Sequence, residues 1–465
     1  NVCDCVHCTA KRTTPTLGCV WDTIHMRGNE MDTKDVIIVG GSAAGVAAAI
    51  TARRHYPGAS VALIRKEAQV SVPCGIPYIF GTLGSPEKNL IPDAAVTGSG
   101  AELLVDGVTA IDKDAHTVTT ESGRQIGYKK LMLATGSLPI LPPIPGRDLE
   151  NVFTVQKDVD FLRHLSSRLD ESRGLVIIGG GFIGMEMADE CRKRGNISVT
   201  VVEMLPHCLF IAFDKELCER AEGVLTDAGV RVMTNTRAKE IVGNGKAEGV
   251  VLENGETVKA DIVIFGIGTR PNVELAKQAG IEIGPLGAIE VDRYMRTSNP
   301  DIFAVGDCAE KTSFFSGQPS PLRLASIATS EARIGAANLF EIRRENPGVI
   351  GVFSTKINEL AMGIAGMGEK AAHDAGMECV VGYAETVDRH PGGMPGAHPA
   401  RLKLIFHKYS GALIGGQVCC GDSIGEMANL IAALVQTRMH ADQIAVFQMG
   451  THPALTASPI AYQLV

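Results

Sequence analysis

Cys74 stands in Ser71-Val72-Pro73-Cys74-Gly75-Ile76-Pro77-Tyr78, where two prolines and a glycine favour an exposed turn over a regular element. A thiol on such a turn can act as a nucleophile, whereas a cysteine without that context is by default a small buried residue. Two glycine clusters carry a second kind of chemistry. Gly40-Gly41-Ser42-Ala43-Ala44-Gly45 follows the β-branched run Val36-Ile37-Ile38-Val39, and Gly179-Gly180-Gly181-Phe182-Ile183-Gly184 follows Leu175-Val176-Ile177-Ile178. Glycine at the first turn of a βαβ unit lets backbone approach a pyrophosphate, whose charge is met by the amides and dipole of the next helix. Two such sites in one chain point to electron transfer between two dinucleotides. Glu203 ends the second strand of the second unit, where a carboxylate accepts both ribose hydroxyls of NAD and repels a 2′-phosphate, so NADH is expected over NADPH. The first unit departs from this pattern: its strand ends in Arg65-Lys66-Glu67, and Glu67 either reaches the ribose or faces solvent.

The elements that must position these residues follow from the apolar runs. Val36–Val39, an Ala-rich stretch to Arg53-Arg54 and the run Val61-Ala62-Leu63-Ile64 read as strand, helix, strand. A parallel sheet is implied, with a ligand crevice at the carboxyl end of its strands. The same order recurs from Leu175 to Val199-Thr200-Val201-Val202. Proline-rich Leu138-Pro139-Ile140-Leu141-Pro142-Pro143-Ile144-Pro145-Gly146 cannot continue a helix or a central strand and reads as a linker, which sets a boundary near residue 150. After residue 347 short strand-like and helical stretches alternate without a glycine fingerprint, as in Arg401–Phe406 and Ile424–Thr437. The expected architecture is α/β: two Rossmann-like units and a C-terminal α+β domain. Residues 1–34, with Cys3, Cys5, Cys8, Cys19 and Trp21, read as a Cys-rich extension. Its cysteine spacing matches no paired zinc-ligand pattern, so no metal is expected, and a sulfur relay to Cys74 is the other reading.

Composition narrows the function classes. With 45% hydrophobic and 21% charged residues among 465, the chain reads as folded and large enough for about three domains. Its net charge of −8, without basic runs among aromatics, argues against a nucleic-acid partner. No stretch has the length of a membrane span, and the N-terminal residues lack the basic-then-apolar pattern of a secretory signal, so a soluble, cytoplasmic protein without membrane attachment is expected. Twelve cysteines are many, but Cys191, Cys218 and Cys308 sit singly in apolar or helical stretches and adjacent Cys419-Cys420 in an apolar run, where burial is expected rather than a disulfide scaffold.

Taken in order, Gly40–Gly45, Cys74, Leu131-Met132-Leu133-Ala134-Thr135-Gly136, Gly179–Gly184 and Asp301-Ile302-Phe303-Ala304-Val305-Gly306-Asp307 resemble the pyridine nucleotide-disulfide oxidoreductases, over residues 35–465. The resemblance implies FAD on residues 35–150 and 272–346, NADH on 151–271, and a domain over 347–465 that pairs two subunits into a homodimer. It implies FAD or NADH contacts at Gly40, Ser42, Ala43, Ala44, Gly45, Lys66 and Glu67. Ala134, Thr135, Gly136, Gly179, Gly181, Phe182, Ile183, Gly184, Glu203, Gly268, Gly306 and Asp307 complete that set, with Asp307 on the ribityl chain and Glu186 near the flavin–nicotinamide contact.

Members with an internal redox pair keep a second cysteine five residues after the first, and here that position is Ile79. A lone cysteine beside a flavin cycles as thiolate, sulfenate or mixed disulfide with an outside thiol. The chain therefore resembles the single-cysteine branch: coenzyme A disulfide and persulfide reductases and NADH oxidases and peroxidases. The oxidases and peroxidases carry a histidine within the first glycine turn, where this chain has Ala43, so a coenzyme A disulfide, persulfide or related small thiol substrate is expected. Oxygen or peroxide chemistry, and electron transfer to a rubredoxin-type protein, are the alternatives. Ser71, Arg53 and Arg54 are candidate substrate contacts, and the two arginines, with His55, equally suit a basic helix C-terminus. Thr451-His452-Pro453 resembles the segment that supplies an acid/base histidine from the neighbouring subunit, but Ala457 stands where the orienting glutamate would be. His452 is thus either an acid/base, apt because its pKa lies near neutrality, or an interface residue.

Overall fold

The computed structural model describes residues 31–456; Cys3, Cys5, Cys8, Cys19, Trp21 and Ala457 lie outside them. The first unit is a seven-stranded sheet. Strand β1 (Asp32–Val39) leads through helix α1 (Ala43–His55) to β2 (Val61–Arg65), parallel to it with Val39 opposite Ile64. Short helices α2 (Ile76–Ile79) and α3 (Ala94–Thr97) precede β3 (Glu102–Val105), the hairpin of β4 (Val108–Asp112) and β5 (Thr117–Thr120), and β6 (Gln125–Leu133). The order is β3-β2-β1-β6-β5-β4. β1 starts at Asp32, ahead of the apolar run and inside the stretch expected to be an extension. Polar Asp32-Thr33-Lys34 continue the pairing with β6, and Lys34 reaches Glu102 at 2.9 Å while Arg124 reaches Asp32 at 3.0 Å.

The proline-rich stretch opens with β7 (Ser137–Pro139). The second unit then runs β8 (Val152–Thr154), α4 (Val159–Glu171), β9 (Gly174–Ile178), α5 (Phe182–Arg192), β10 (Ser198–Val202), α6 (Lys215–Asp227) and β11 (Arg231–Met233). A three-stranded antiparallel sheet of β12 (Ala238–Val242), β13 (Gly249–Leu252) and β14 (Thr257–Lys259) precedes β15 (Ile262–Phe265). The parallel sheet reads β11-β10-β9-β15-β8. β16 (Thr269–Pro271) pairs antiparallel with β7, a ribbon that ties the two units together. The chain then returns to the first sheet: after α7 (Glu274–Gln278), β17 (Ile302–Ala304) pairs parallel with β6. The two-residue strands β18 (Lys311–Thr312) and β19 (Pro319–Ser320) precede α8 (Ala325–Ala337), which packs along α1. Small residues permit that approach: Ala48 and Ala52 on α1 and Ala332 and Ala336 on α8 are fully buried.

The third domain is an antiparallel sheet of β20 (Val352–Ile357), β21 (Leu360–Gly366), β22 (Cys379–Val387), β23 (Pro399–His407) and β24 (Leu413–Cys420), in the order β20-β21-β24-β23-β22. Helix α9 (Glu369–Asp374) lies before β22, and α10 (Ile424–Gln436) and α11 (Ala441–Ala445) follow the sheet. Alternate apolar positions of α10, such as Met427, Ile431 and Val435, pack on β21 and β24. Cys191, Cys218, Cys308, Cys419 and Cys420 are buried, as their apolar surroundings dictate. One core cluster joins Ile76, Ile79 and Phe80 of the Cys74 segment to Leu175, Ile177 and Met185 of the second unit and Ile357 and Met362 of the third domain. The reactive turn is thereby rooted where all three parts meet. No helix among the described residues is long and apolar enough to cross a membrane.

Candidate active site

Both glycine turns are shaped by close backbone approach. At the end of β1, a Cβ on Gly40 would lie 2.2 Å from the Ala134 carbonyl oxygen, and one on Gly45 would lie 1.8 Å from that of Gly40. At the end of β9, a Cβ on Gly179 would lie 2.7 Å from the Gly266 carbonyl oxygen, and one on Gly184 would lie 1.9 Å from that of Gly179. Gly40 and Gly179 also have φ of 114° and 111°, which L side chains rarely adopt. Ser42 and Gly181 are the N-cap residues of α1 and α5, neither with a side-chain cap, so Ala43, Ala44, Phe182 and Ile183 form open helix N-termini. Unpaired first-turn N–H groups at the carboxyl edge of a parallel sheet suit a pyrophosphate in each turn. Each cradle fits the pyrophosphate of a dinucleotide such as FAD or a nicotinamide dinucleotide.

Glu203 follows β10 and is buried; its Oε2 accepts from the Gly180 N–H at 2.6 Å and its Oε1 from the Leu205 N–H at 2.7 Å. The carboxylate is held beneath the glycine turn with lone pairs left for ribose hydroxyls. In the first unit Arg65 takes that place. Its aliphatic stem fills the space beside Gly41, and its guanidinium donates to the carbonyls of Glu67 and Ala68 and pairs with Asp93 at 2.8 Å. Lys66 and Glu67 are exposed, and Lys66 lies 3.3 Å from Glu121. Opposite the first turn, Thr135 Oγ1 donates to the Asn272 carbonyl at 2.6 Å, and Ser137 Oγ donates to Asp307 Oδ2 at 2.7 Å, leaving Asp307 Oδ1 for a ligand hydroxyl. Gly136 and Gly268 occupy matching positions beyond β6 and β15, and Gly306 opens the turn that carries Asp307.

Cys74 sits in a single 3₁₀ turn, Pro73–Gly75, that runs into α2. Asn89 holds that turn: its Nδ2 donates to the Val72 carbonyl at 2.9 Å, its own carbonyl accepts from the Val72 N–H at 2.8 Å, and a Cβ on Gly75 would meet its Oδ1 at 1.9 Å. Ser71, fully buried, has an Oγ without a hydrogen-bond partner. Cys74 itself is exposed. Partial burial pushes its thiol up, Glu186 adds to that, and Lys157 opposes it. Lys157 is half-buried, its Nζ 3.8 Å from the point where a Gly136 Cβ would stand. Position 79, five residues on, is a fully buried isoleucine.

Helix α5 supplies the acids that face this turn. Burial pushes the Glu186 carboxyl up to about 7, against the pull of Thr355, whose Oγ1 donates to Glu186 Oε1 at 2.8 Å. Glu190 accepts from the Thr82 N–H at 2.6 Å and from Lys193 at 2.6 Å, fixing α5 to the segment after α2. The phenol of Tyr78 is pushed up to about 12, by burial first and then by Glu186. Phe182 stacks on Phe353 of β20, with ring centroids 5.1 Å apart. A nicotinamide entering between α5 and Cys74 would meet a surface set jointly by the second unit and the third domain.

The remaining expected contacts lie elsewhere. Arg53 and Arg54 close α1, at the opposite end from Ser42 and about 20 Å away for thirteen helical residues. Arg53 donates to the Ala59 carbonyl and flanks Gly100, while Arg54 is exposed. His452 is exposed in the third domain; its Nδ1 accepts from the Ala454 N–H at 3.2 Å and its N–H donates to Thr456 Oγ1 at 3.0 Å, so Nε2 is the nitrogen turned outward. Asn89, Lys157 and Thr355 were not signalled in the sequence. None belongs to a motif, and each reaches the site through chain reversals that spacing does not encode.

The family model of the pyridine nucleotide-disulphide oxidoreductases matches residues 34–332, and that of their dimerisation domain matches residues 352–460. An NADH oxidase of Methanocaldococcus jannaschii is 31% identical over 90% of this chain and 95% of its own length. An NAD(P)H coenzyme A polysulfide/persulfide reductase of Pyrococcus horikoshii is 31% identical over 86% of this chain and 91% of its own. Among solved structures, the NAD-dependent persulfide reductase of A. fulgidus superimposes with a TM-score of 0.85 at 31% identity, covering 92% of this chain and 81% of that one. The chain belongs to the pyridine nucleotide-disulphide oxidoreductase family, flavoproteins that use FAD and NAD(P)H and pair through a dimerisation domain.

Proposed function

We propose that this enzyme reduces a coenzyme A disulfide or persulfide with NADH, through FAD, on the single thiol of Cys74. The observation that carries this reading is the reactive turn: an exposed cysteine within electrostatic reach of Glu186, Lys157 and Asp307, with buried Ile79 where a second redox sulfur would be. A lone thiol cannot close an internal disulfide, so any disulfide on Cys74 takes its second sulfur from the substrate. The names of the Pyrococcus and A. fulgidus relatives support the same substrate class. Ala43 in the first turn offers no side chain to assist oxygen or peroxide. The likeness to an NADH oxidase still keeps oxygen as a second acceptor.

FAD, when bound, supplies the two-electron relay between NADH and sulfur. The chain's own residues do the rest. Glu203 beneath Gly180 selects the nucleotide without a 2′-phosphate. The Cys74 thiolate attacks one sulfur of the substrate disulfide; the S–S bond breaks, a Cys74–S–S–CoA mixed disulfide forms and one thiolate leaves. Two electrons then cleave the mixed disulfide, restoring the Cys74 thiolate and releasing the second thiolate. Lys157 favours the Cys74 thiolate between turnovers, and His452 of the partner subunit, through Nε2, protonates a leaving thiolate. A resting thiol in this role fits a reducing, cytoplasmic compartment.

Anaerobic NADH oxidation with coenzyme A persulfide, wild type against Cys74→Ser, tests the reading. The rate should fall on the order of 10³-fold or more, since the nucleophile itself is removed. Equal rates in the two proteins would sink sulfur reduction at Cys74 and favour electron transfer to a protein acceptor.

A further inference from the structure

Behind the Gly306–Asp307 turn lies a buried ion pair outside the chemistry above. Lys311 Nζ is 2.9 Å from Glu331 Oε2, with side-chain exposures of 2% and 1%. Both side chains also grip the turn. Glu331 Oε2 accepts from the Gly306 N–H at 2.9 Å, while Lys311 Nζ donates to the Gly306 carbonyl at 2.5 Å and to that of Ala309 at 2.8 Å. The two peptide groups flanking Gly306 are thus each held by one member of the paired opposite charges. A buried charge pair is a costly way to obtain stability, because desolvation offsets most of the Coulomb gain, and apolar residues of similar size commonly do as well. Glu331 Oε1 is moreover buried without a partner, a further cost with no packing return.

What the pair does provide is orientation. The Gly306–Asp307 peptide is planar, so a carbonyl held by Lys311 in the core directs the Asp307 N–H away from it. Asp307 follows in the same turn, with its Oδ2 tied to Ser137 and its Oδ1 open. Glycine at 306 would otherwise leave both flanking peptides free to rotate.

We propose that the Lys311–Glu331 pair is a positioning device for FAD: it locks the Gly306–Asp307 peptide so that Asp307 meets the flavin's ribityl chain in one orientation. The inference rests on FAD occupying the first unit and is independent of the sulfur chemistry at Cys74.

The test compares wild type, Lys311→Met, Glu331→Gln and the double variant, reading FAD dissociation from apoprotein by flavin fluorescence, the flavin absorption band of the holoprotein and apoprotein unfolding. Lys311→Met should weaken FAD binding by about tenfold or more, because it frees the Gly306 carbonyl and strands a carboxylate. Glu331→Gln, which keeps an acceptor for the Gly306 N–H, should cost less. The double variant should recover part of the loss, since it removes the stranded charge. FAD affinity and absorption band unchanged within about twofold in both single variants, beside a lowered apoprotein stability, would reduce the pair to an ordinary core contact. A double variant no better than Lys311→Met would equally overturn the coupling. If Lys311→Met does not fold, Glu331→Gln decides by the same affinity criterion.

Discussion

The two glycine turns are built to one plan down to the hydrogen bond. The Gly40 N–H donates to the Ile64 carbonyl at 2.8 Å and the Gly179 N–H to the Val202 carbonyl at 2.9 Å. On the other side, Ala134 N–H meets the Val39 carbonyl and Gly266 N–H the Ile178 carbonyl, both at 2.8 Å. This register makes Arg65 the counterpart of Glu203, and Ala134-Thr135-Gly136 the counterpart of Gly266-Ile267-Gly268. The two turns then diverge in what they present. Beneath the second stands a carboxylate that receives the turn's own N–H; beneath the first stands a guanidinium tied to Asp93 and two carbonyls. The helices diverge too. α1 carries Ala47 where α5 carries Glu186, and it buries a file of alanines against α8, whereas α5 turns Glu186 and Glu190 toward the Cys74 segment and β20. The two turns share a backbone cradle suited to a pyrophosphate and differ in the strand-end residue and the helix face beside it. The helix of the first turn packs on α8, while the helix of the second faces the Cys74 segment and β20.

The largest effect should come from filling one cradle at a time. Gly45→Ala and Gly184→Ala each place a Cβ under 2 Å from a carbonyl oxygen of the same turn. Backbone cannot give way as a flexible side chain does, so each should cost roughly 3 kcal/mol, or about 10²-fold in affinity for its own nucleotide. Gly45→Ala should yield protein depleted of FAD, read from the ratio of flavin to protein absorbance. Gly184→Ala should keep its FAD and lose NADH affinity, read by anaerobic flavin reduction at varied NADH. Loss of FAD in both would mean that the two cradles fold as one unit.

A smaller effect is expected from the residue that distinguishes the turns. Glu203→Ala removes an acceptor of charge-assisted hydrogen bonds worth about 1.5–3 kcal/mol, so kcat/KM for NADH should fall roughly 10- to 100-fold. Because the repulsion of a 2′-phosphate disappears with the carboxylate, NADPH should lose far less or gain. Glu203→Gln, which keeps an acceptor for the Gly180 N–H, separates the charge from the scaffold. An unchanged NADH to NADPH ratio in both variants would show that the nucleotide preference is set elsewhere.

Much of this contrast was legible in the chain. β-Branched runs closed by glycine gave both turns, because close backbone approach leaves a mark in residue type, and Glu203 was legible because it ends a strand of the same run. The identity of Arg65 at the matching strand end was visible, but its role was not: the sequence offers no sign that Asp93 and the Glu67 and Ala68 carbonyls absorb its donors. Asn89 and Thr355 escaped for a related reason. A side chain that reaches a site from a loop or from another domain obeys no period, and its meaning exists only once β20 packs on α5. The polar start of β1 was missed because Asp32-Thr33-Lys34 pair through backbone and ion pairs, and apolar periodicity is blind to both.

Glu186 sharpens the comparison further, with the mildest effect. Its carboxyl, pushed up to about 7 by burial, is half protonated at neutral pH beside Cys74, and the matching position in α1 is an alanine that cannot titrate. The folded chain therefore holds a proton between the ordinary carboxylate range and about pH 7 that the unfolded chain has released. Since the folded state binds more protons there, stability falls as pH rises through that window, by up to about 3 kcal/mol, and the contribution is gone above it. Glu186→Gln removes this slope. The variant should match wild type in urea unfolding near pH 5 and exceed it near pH 8, while variants of Ala47 leave the slope untouched. In turnover, the negative charge that Glu186 acquires above pH 7 opposes the Cys74 thiolate, so Glu186→Gln should keep a lower Cys74 thiol pKa, by a few tenths to one unit. The thiol titration, followed by alkylation rate against pH, reads this directly. A thiol titration identical in the two proteins would mean that Glu186 does not act on the Cys74 sulfur.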